Sequence, residues 1–318
     1  MRVRRGDVNP HDAEFFAGRL SRTSCAERIM IFFQANSSPV QALAFSPDGT
    51  LLATGNLAGE VCIWDTATGA VRTLRGFPTT SSGGISTVGF HPDGSWVVGV
   101  GSDRLMRWDL ANPQARPDCL SPEDARTVAL DKIDLQMAWI GYRGIRSRPV
   151  SHLKMNDVRR QRKGWELIRL FSPDGTRSVI GENNGHVCIW DNLTGELLHD
   201  LFSKPTTVCY LAFSADGGSI AWTDIRWLSV WDLDPPRERV SLEIFGWNLT
   251  VAFHPSGRFL LVGDHDGTIR LREVESGQEW AAYSWGIGSV WKVAFSPDGL
   301  RAAACGQSGK IVVWDVDV

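Results

Sequence analysis

The sequence lacks the features that would assign a role at a glance. No run approaches about 18 apolar residues, and no apolar stretch follows the basic start MRVRRGDVNPHD, so membrane spanning and secretion both lack their signals. The six cysteines (Cys25, Cys62, Cys119, Cys188, Cys209, Cys305) lie far apart, with no CxxC pair and no histidine at zinc-ligand spacing. That argues against a structural metal or a small disulfide framework. No metal or cofactor is expected, and a cytoplasmic, reducing setting is. There is no GxSxG elbow, no GxxxxGK[ST] phosphate loop and no HExxH, and the seven histidines are scattered. His91 and His254 each open a turn (HPDG, HPSG), where a turn role outweighs a catalytic one. A net charge of -3 and a pI near 6.2 give little global attraction for nucleic acid or an anionic membrane, so any such binding must be local.

What the sequence has is repetition. Hydrophobic content of 43% and charged content of 22% are those of an ordinary globular protein. A phrase of the type apolar-x-Phe plus a four-residue turn recurs: LAFSPDG (43–49), VGFHPDG (88–94), RLFSPDG (169–175), LAFSADG (211–217), VAFHPSG (251–257) and VAFSPDG (293–299). The phenylalanines, Phe45, Phe90, Phe171, Phe213, Phe253 and Phe295, are 45, 81, 42, 40 and 42 residues apart. One interval is double the rest. Residues 127–150 fit inside it as a worn seventh copy, with Leu130 in the Phe slot and Pro149-Val150 where other copies carry Trp-Asp.

Each copy reads as strands separated by tight turns. Proline fixes φ at the second turn position and glycine supplies a positive φ, which suits a link between antiparallel strands. A second marker follows each Phe by 18 or 19 residues: IWDTATG (63–69), RWDLANP (107–113), IWDNLTG (189–195), VWDLDPP (230–236), LREVESG (271–277) and VWDVDV (313–318). Cys62 and Cys188 share the phrase VCIWD and read as small apolar fillers.

Two markers at fixed separation, in a period near 40 residues, resemble the WD-repeat β-propeller family, in the style of its bacterial members. The resemblance covers residues 27–318. It implies an all-β fold: a seven-bladed β-propeller of four-stranded antiparallel blades, closed by an N-terminal strand completing the last blade. ERIMIFFQ (27–34) precedes Phe45 by the offset at which GELLHDLF (195–202) precedes Phe213, and the chain stops three residues after Trp314-Asp315. The ring is therefore expected to be whole. Residues 1–24 are expected to be a basic, disordered tail outside it, and 25–318 a single propeller whose third blade, about 120–160, is degenerate.

This chain departs from the family pattern in two ways. No Gly-His pair precedes the first strands, and the aspartate between second and third strands survives clearly only as Asp266, so apolar and aromatic packing is expected to replace the family's polar network. In the sixth copy Arg272-Glu273 stands in the Trp-Asp slot.

The resemblance implies binding rather than catalysis, with partners docking on the face formed by the fourth-to-first and second-to-third loops. The repeat register places Trp165, Trp247 and Trp285 in fourth-to-first loops and Arg226 with Trp227 in a second-to-third loop. Tryptophan and arginine on an exposed rim are what interface hot spots favour; the alternative is that these indoles plug the channel or pack between blades. From Arg143 to Lys163 the chain carries eight basic residues, among them Arg143, Arg160, Arg162 and Lys163, against the single acid Asp157. Such a run is usually a solvated loop, and the sharper reading is a dock for an anion or an acidic partner.

The function expected is a non-catalytic scaffold for one or more proteins, acidic ones among them, in signalling or complex assembly, as a monomer and without membrane attachment. Two alternatives differ in class. A binder of an anionic ligand or nucleic acid would use 143–163, and a propeller enzyme would carry its site in the central channel.

Overall fold

In the computed structural model, residues 2–5, 29–34, 38–74, 84–101, 105–112, 117–120, 166–202, 204–224, 226–244 and 248–318 are described. They form strands and turns. β1 (Arg2–Arg5) and β2 (Ile29–Phe33) come first. Blade one is β3 (Val40–Phe45), β4 (Leu51–Asn56), β5 (Val61–Asp65) and β6 (Val71–Leu74). Blade two is β7 (Ile85–Phe90), β8 (Trp96–Gly101), β9 (Leu105–Asp109) and β10 (Asp118–Leu120). The third copy, 121–165, lies outside the described residues.

Blade four is β11 (Glu166–Phe171), β12 (Arg177–Glu182), β13 (His186–Asp191) and β14 (Leu197–Phe202), and blade five is β15 (Tyr210–Phe213), β16 (Ser219–Thr223), β17 (Trp227–Leu233) and β18 (Pro236–Glu243). Blade six is β19 (Asn248–Phe253), β20 (Phe259–Asp264), β21 (Thr268–Glu273) and β22 (Glu279–Ser284). Blade seven draws β23 (Val290–Phe295), β24 (Arg301–Gly306) and β25 (Ile311–Asp315) from the end of the chain and takes its fourth strand from the beginning, because β2 pairs antiparallel with β25. Blades one, two, four, five and six are thus four-stranded antiparallel sheets in simple sequential order, and blade seven repeats the pattern with β2 as its fourth strand. Arg2–Arg5, within the segment read as a tail, adds a fifth strand parallel to β2. The outer edge of β2 offers unpaired backbone groups that such a strand can satisfy.

The turns explain the meander. In each Phe-x-x-x-Gly phrase the glycine carries a positive φ, between 70° and 75° for Gly49, Gly94, Gly175, Gly217, Gly257 and Gly299. An L side chain pays for that conformation in steric strain. Ser46, Ser172, Ser214 and Ser296 each donate from Oγ to the aspartate two residues on, and that aspartate also accepts a backbone N–H beyond it.

Side-chain alternation gives every blade two apolar faces, and each described junction has its own core. Leu43, Leu52 and Trp64 of blade one meet Ile31, Phe33, Ile311 and Val313 of blade seven, while Ala42, Ala53 and Ile63 on the opposite face meet Ile85, Val88 and Val97 of blade two. Comparable clusters join blades four to five, five to six and six to seven. Gly55 and Gly263, one repeat position in two blades, show why a small residue recurs at the end of the second strand. A Cβ on either would lie 2.5 Å from the first-strand or loop side chain of the next blade, Ile85 or Val290. Burying both faces of a blade requires neighbours on both sides, which is the physical reason the phrase repeats.

Candidate functional site

The two kinds of loop expected to share a face do so, because they hydrogen-bond to one another. Leu57 N donates to Pro39 O (2.9 Å), Gln307 N to Ser289 O (3.0 Å) and Ile244 N to Arg226 O (2.6 Å). Ser289 Oγ donates to His265 O (2.9 Å), and Thr207 Oγ1 to Asn183 O (3.3 Å). These bonds tie the two kinds of loop together on one face of the described blades.

Of the candidate residues, Arg226 and Trp227 stand together on that face. Asp224, buried at the end of the second strand, accepts the backbone N–H groups of both (2.7 Å each) and takes a further bond from Thr206 Oγ1. The tight Asp224-Ile-Arg-Trp turn therefore fixes where the two side chains leave the backbone. Arg226 is exposed and pairs with Glu243 at the end of β18. Trp227 is half-buried, and Lys204 Nζ lies 4.4 Å above its ring, a cation–π contact of a kind worth about 0.5–1 kcal/mol at an exposed site.

Trp285 has a different role. It stacks on Tyr283 (4.9 Å, 20°) and lies 4.5 Å from Trp314, packed between blades six and seven as the alternative reading allowed. Arg143, Arg160, Arg162, Lys163, Trp165 and Trp247 lie outside the described residues. Lys204, Thr206, Asp224 and Glu243 were not singled out in the sequence; only the register brings them to the Arg226-Trp227 turn.

One further contact was also missed. Lys292, in the first strand of blade seven, reaches 4.8 Å from the ring of Tyr210 in the first strand of blade five, bridging two non-adjacent blades near the loop face. Among the described residues no group of three or more His, Cys, Asp or Glu is placed to hold a metal ion, and no helix is long and apolar enough to cross a membrane. His91 and His254 serve their turns: His91 Nδ1 lies 2.6 Å from Asp93, whose carboxyl is held down at about 2 by bonds from Ser95 and His91, and His254 bonds Ser256 and, across the junction to blade seven, Gly299 O.

The tryptophans of the Trp-Asp phrases differ in what their indoles do. The indole N–H groups of Trp190, Trp231 and Trp314 are buried with no hydrogen-bond partner among the described residues. Trp64 alone of these four donates, from Nε1 to Thr54 Oγ1 at 2.9 Å.

Comparison with known proteins agrees with this architecture. The WD domain, G-beta repeat family model matches residues 27–65, 70–109 and 284–315, and the anaphase-promoting complex subunit 4 WD40 domain model matches 210–298. The crystal structure of the Myceliophteria thermophila Cps50 (Swd1) β-propeller domain superposes with a TM-score of 0.67 at 17% identity, over 89% of this chain and 98% of that one. The chain belongs to the WD-repeat β-propeller family. Among its WD-repeat relatives, WD repeat-containing protein 90 of Mus musculus is 23% identical across 96% of this chain, which spans only 18% of that protein's length. The human serine-threonine kinase receptor-associated protein is 23% identical across 90% of this chain and 69% of its own length. The meiotic recombination protein rec14 of Schizosaccharomyces pombe is 31% identical over a shorter stretch, 41% of this chain and 44% of its own.

Proposed function

We propose that this WD-repeat protein is a non-catalytic platform that docks other proteins, acidic ones among them, on its loop face, as one propeller spanning 25–318. The observation that carries the reading is the rim formed by Lys204, Arg226, Trp227 and Glu243. Here a half-buried tryptophan, its backbone N–H bonded to a buried aspartate, stands beside an exposed arginine. Tryptophan and arginine in that setting supply most of the energy of typical interfaces, because a pre-positioned aromatic loses little entropy on binding. The name of the human relative, which describes association with a kinase receptor, fits a role in signalling or complex assembly.

The test is affinity capture from native lysate with quantitative mass spectrometry, comparing the parent with Arg226→Glu/Trp227→Ala after thermal melting has shown that the variant folds. Loss of specific partners from the folded variant supports the platform. Retention of every partner, or capture of none by the parent, overturns it.

A further inference from the structure

Beside its apolar contacts, blade six turns two arginines toward blade five, one of them, Arg272, in the slot where the other described blades carry tryptophan. Val262, Asp264, Arg270 and Arg272, on its second and third strands, line a cavity of about 240 Å³ whose opposite wall is Glu243 and Ile244 of blade five, with Glu279 at the side. Asp264 is only 2% exposed and pairs with Arg270. Arg272 occupies the tryptophan slot of the repeat. Its side chain is 16% exposed, Nη1 donates to Gly277 O at 3.0 Å, and Nε is buried with no hydrogen-bond partner among the described residues.

One buried acid therefore faces two guanidiniums. From the rim, Asp266 lies 4.0 Å from Arg270 Nη2, Glu243 is engaged by Arg226, and Glu279, which is 42% exposed, places a single carboxylate oxygen 3.3 Å from Arg270 Nε and 3.5 Å from Arg272 Nη2. Those contacts are long for charge-assisted hydrogen bonds, which settle near 2.7–2.9 Å. Arg272 consequently keeps a buried, unpartnered Nε–H in the wall of that cavity, and such a donor is a standing cost until an acceptor meets it. Burial also pulls the Arg272 guanidinium below its ordinary pKa, as expected when charge is left incompletely compensated.

We propose that the cleft between blades five and six receives a glutamate side chain from an extended acidic segment of a partner protein, with Glu279 as a built-in placeholder for the incoming carboxylate. The carboxylate binds Arg272 Nε and Nη2 and takes over the place of Glu279, while Ile244 and Val262 contact its methylenes. The cleft shares Glu243 with the Arg226-Trp227 rim, so a segment bound at the rim is positioned to enter it. The proposal rests on the platform reading and adds to it the chemistry of the partner.

The experiment uses the full chain and follows the arginine Nε–Hε resonances by NMR during titration with capped hexaglutamate, capped hexaglutamine and acetyl-hexaglycine with a free C-terminus. Arg272→Trp, which restores the residue other blades carry, and Glu279→Gln are titrated in parallel. The proposal expects a saturable shift of the Arg272 signal with hexaglutamate alone. It expects affinity to be lost in Arg272→Trp and to rise roughly two- to fivefold in Glu279→Gln, because an exposed ion pair is a weak competitor.

Absence of that shift, response to the free C-terminus in preference to hexaglutamate, or weaker binding by Glu279→Gln overturns the proposal. Lysate capture separates its failure from that of the platform. Partners lost with Arg226→Glu/Trp227→Ala and retained by Arg272→Trp would leave the platform standing and remove the cleft.

Discussion

Blades one and six share a backbone register and differ in what fills one slot. In blade one, Trp64 is buried to 3% exposure, stacks on Phe33 of blade seven at 4.9 Å and gives its N–H to Thr54. In blade six the same slot holds Arg272, the Thr54 position holds Val262, and Cys62 is replaced by Arg270. The strands still pair residue for residue, β4 with β5 and β20 with β21. The fold thus tolerates a charged junction where it normally places an indole, because the ladder hydrogen bonds belong to the backbone. The side chains decide only how the blade meets its neighbour. In blade one that meeting is packing, and in blade six it is packing together with an ion-pair set around a cavity.

The largest expected effect comes from deleting the two slot residues separately. Trp64→Ala removes a large buried side chain at the junction that joins the two ends of the chain, and should cost about 3–5 kcal/mol in chemical denaturation. Arg272→Ala removes a stem and a partly exposed pairing, and should cost about 1 kcal/mol or less. Equal losses would break the comparison, since they would make Arg272 as structural as Trp64 and the cavity a mere packing fault.

The next effect sharpens the electrostatic half. Asp264→Asn keeps the size of the buried acid and leaves Arg270 and Arg272 facing one rim carboxylate. Breaking a fully buried pair costs about 3–5 kcal/mol, and the loss here should fall below that range because a quarter of the Arg270 side chain stays in water. The matched change in blade one, Asn56→Asp, replaces the Nδ2 donor that Glu60 Oε2 accepts from at 2.7 Å by a second carboxylate oxygen, and is expected to destabilise as well. A tolerated Asn56→Asp together with a tolerated Asp264→Asn, seen in the same denaturation assay, would show that this position does not sense charge in either blade.

How far these features were legible in the sequence follows from which physics fixes them. Turns and strand ends are written locally. The Phe phrase and the Trp-Asp phrase therefore located the strands, and the offset of ERIMIFFQ placed the strand that now pairs with β25 in blade seven. The Trp64–Thr54 bond was not noticed in the sequence because it needs cross-strand register.

The site was read less well for the same reason. Arg226 and Trp227 were found as neighbours in one turn, whereas Lys204 and Glu243 reach them from other segments. Trp285 looked like a rim residue by its position in a loop and packs against Tyr283 and Trp314 instead. Arg272 in the tryptophan slot was the visible sign of the blade-six cleft. Its partners Asp264, Arg270 and Glu279 join it only when the faces of three strands are known.

The smallest effect concerns the turns, where the same two blades differ again. In blade one Asp48 accepts bonds from Ser46 Oγ, Thr50 N and Thr50 Oγ1, which hold its carboxyl below the ordinary 3.8. Blade six has Ser256 at that position, bonded to His254 Nδ1 at 2.7 Å, and no carboxylate. A carboxyl whose folded pKa is depressed stabilises the folded state above the unfolded value and loses that contribution as pH falls through the folded one. The blade-one turn should therefore loosen as pH falls below the ordinary 3.8, while the blade-six turn lacks this route. Amide exchange at Thr50 N, compared with Arg258 N in the blade-six turn, reads the difference directly. Asp48→Asn should flatten the blade-one response, because the amide oxygen still accepts both bonds and no longer titrates. Parallel acid loosening of both turns would mean that it is global, set by the summed aspartates of several blades acting on the ring.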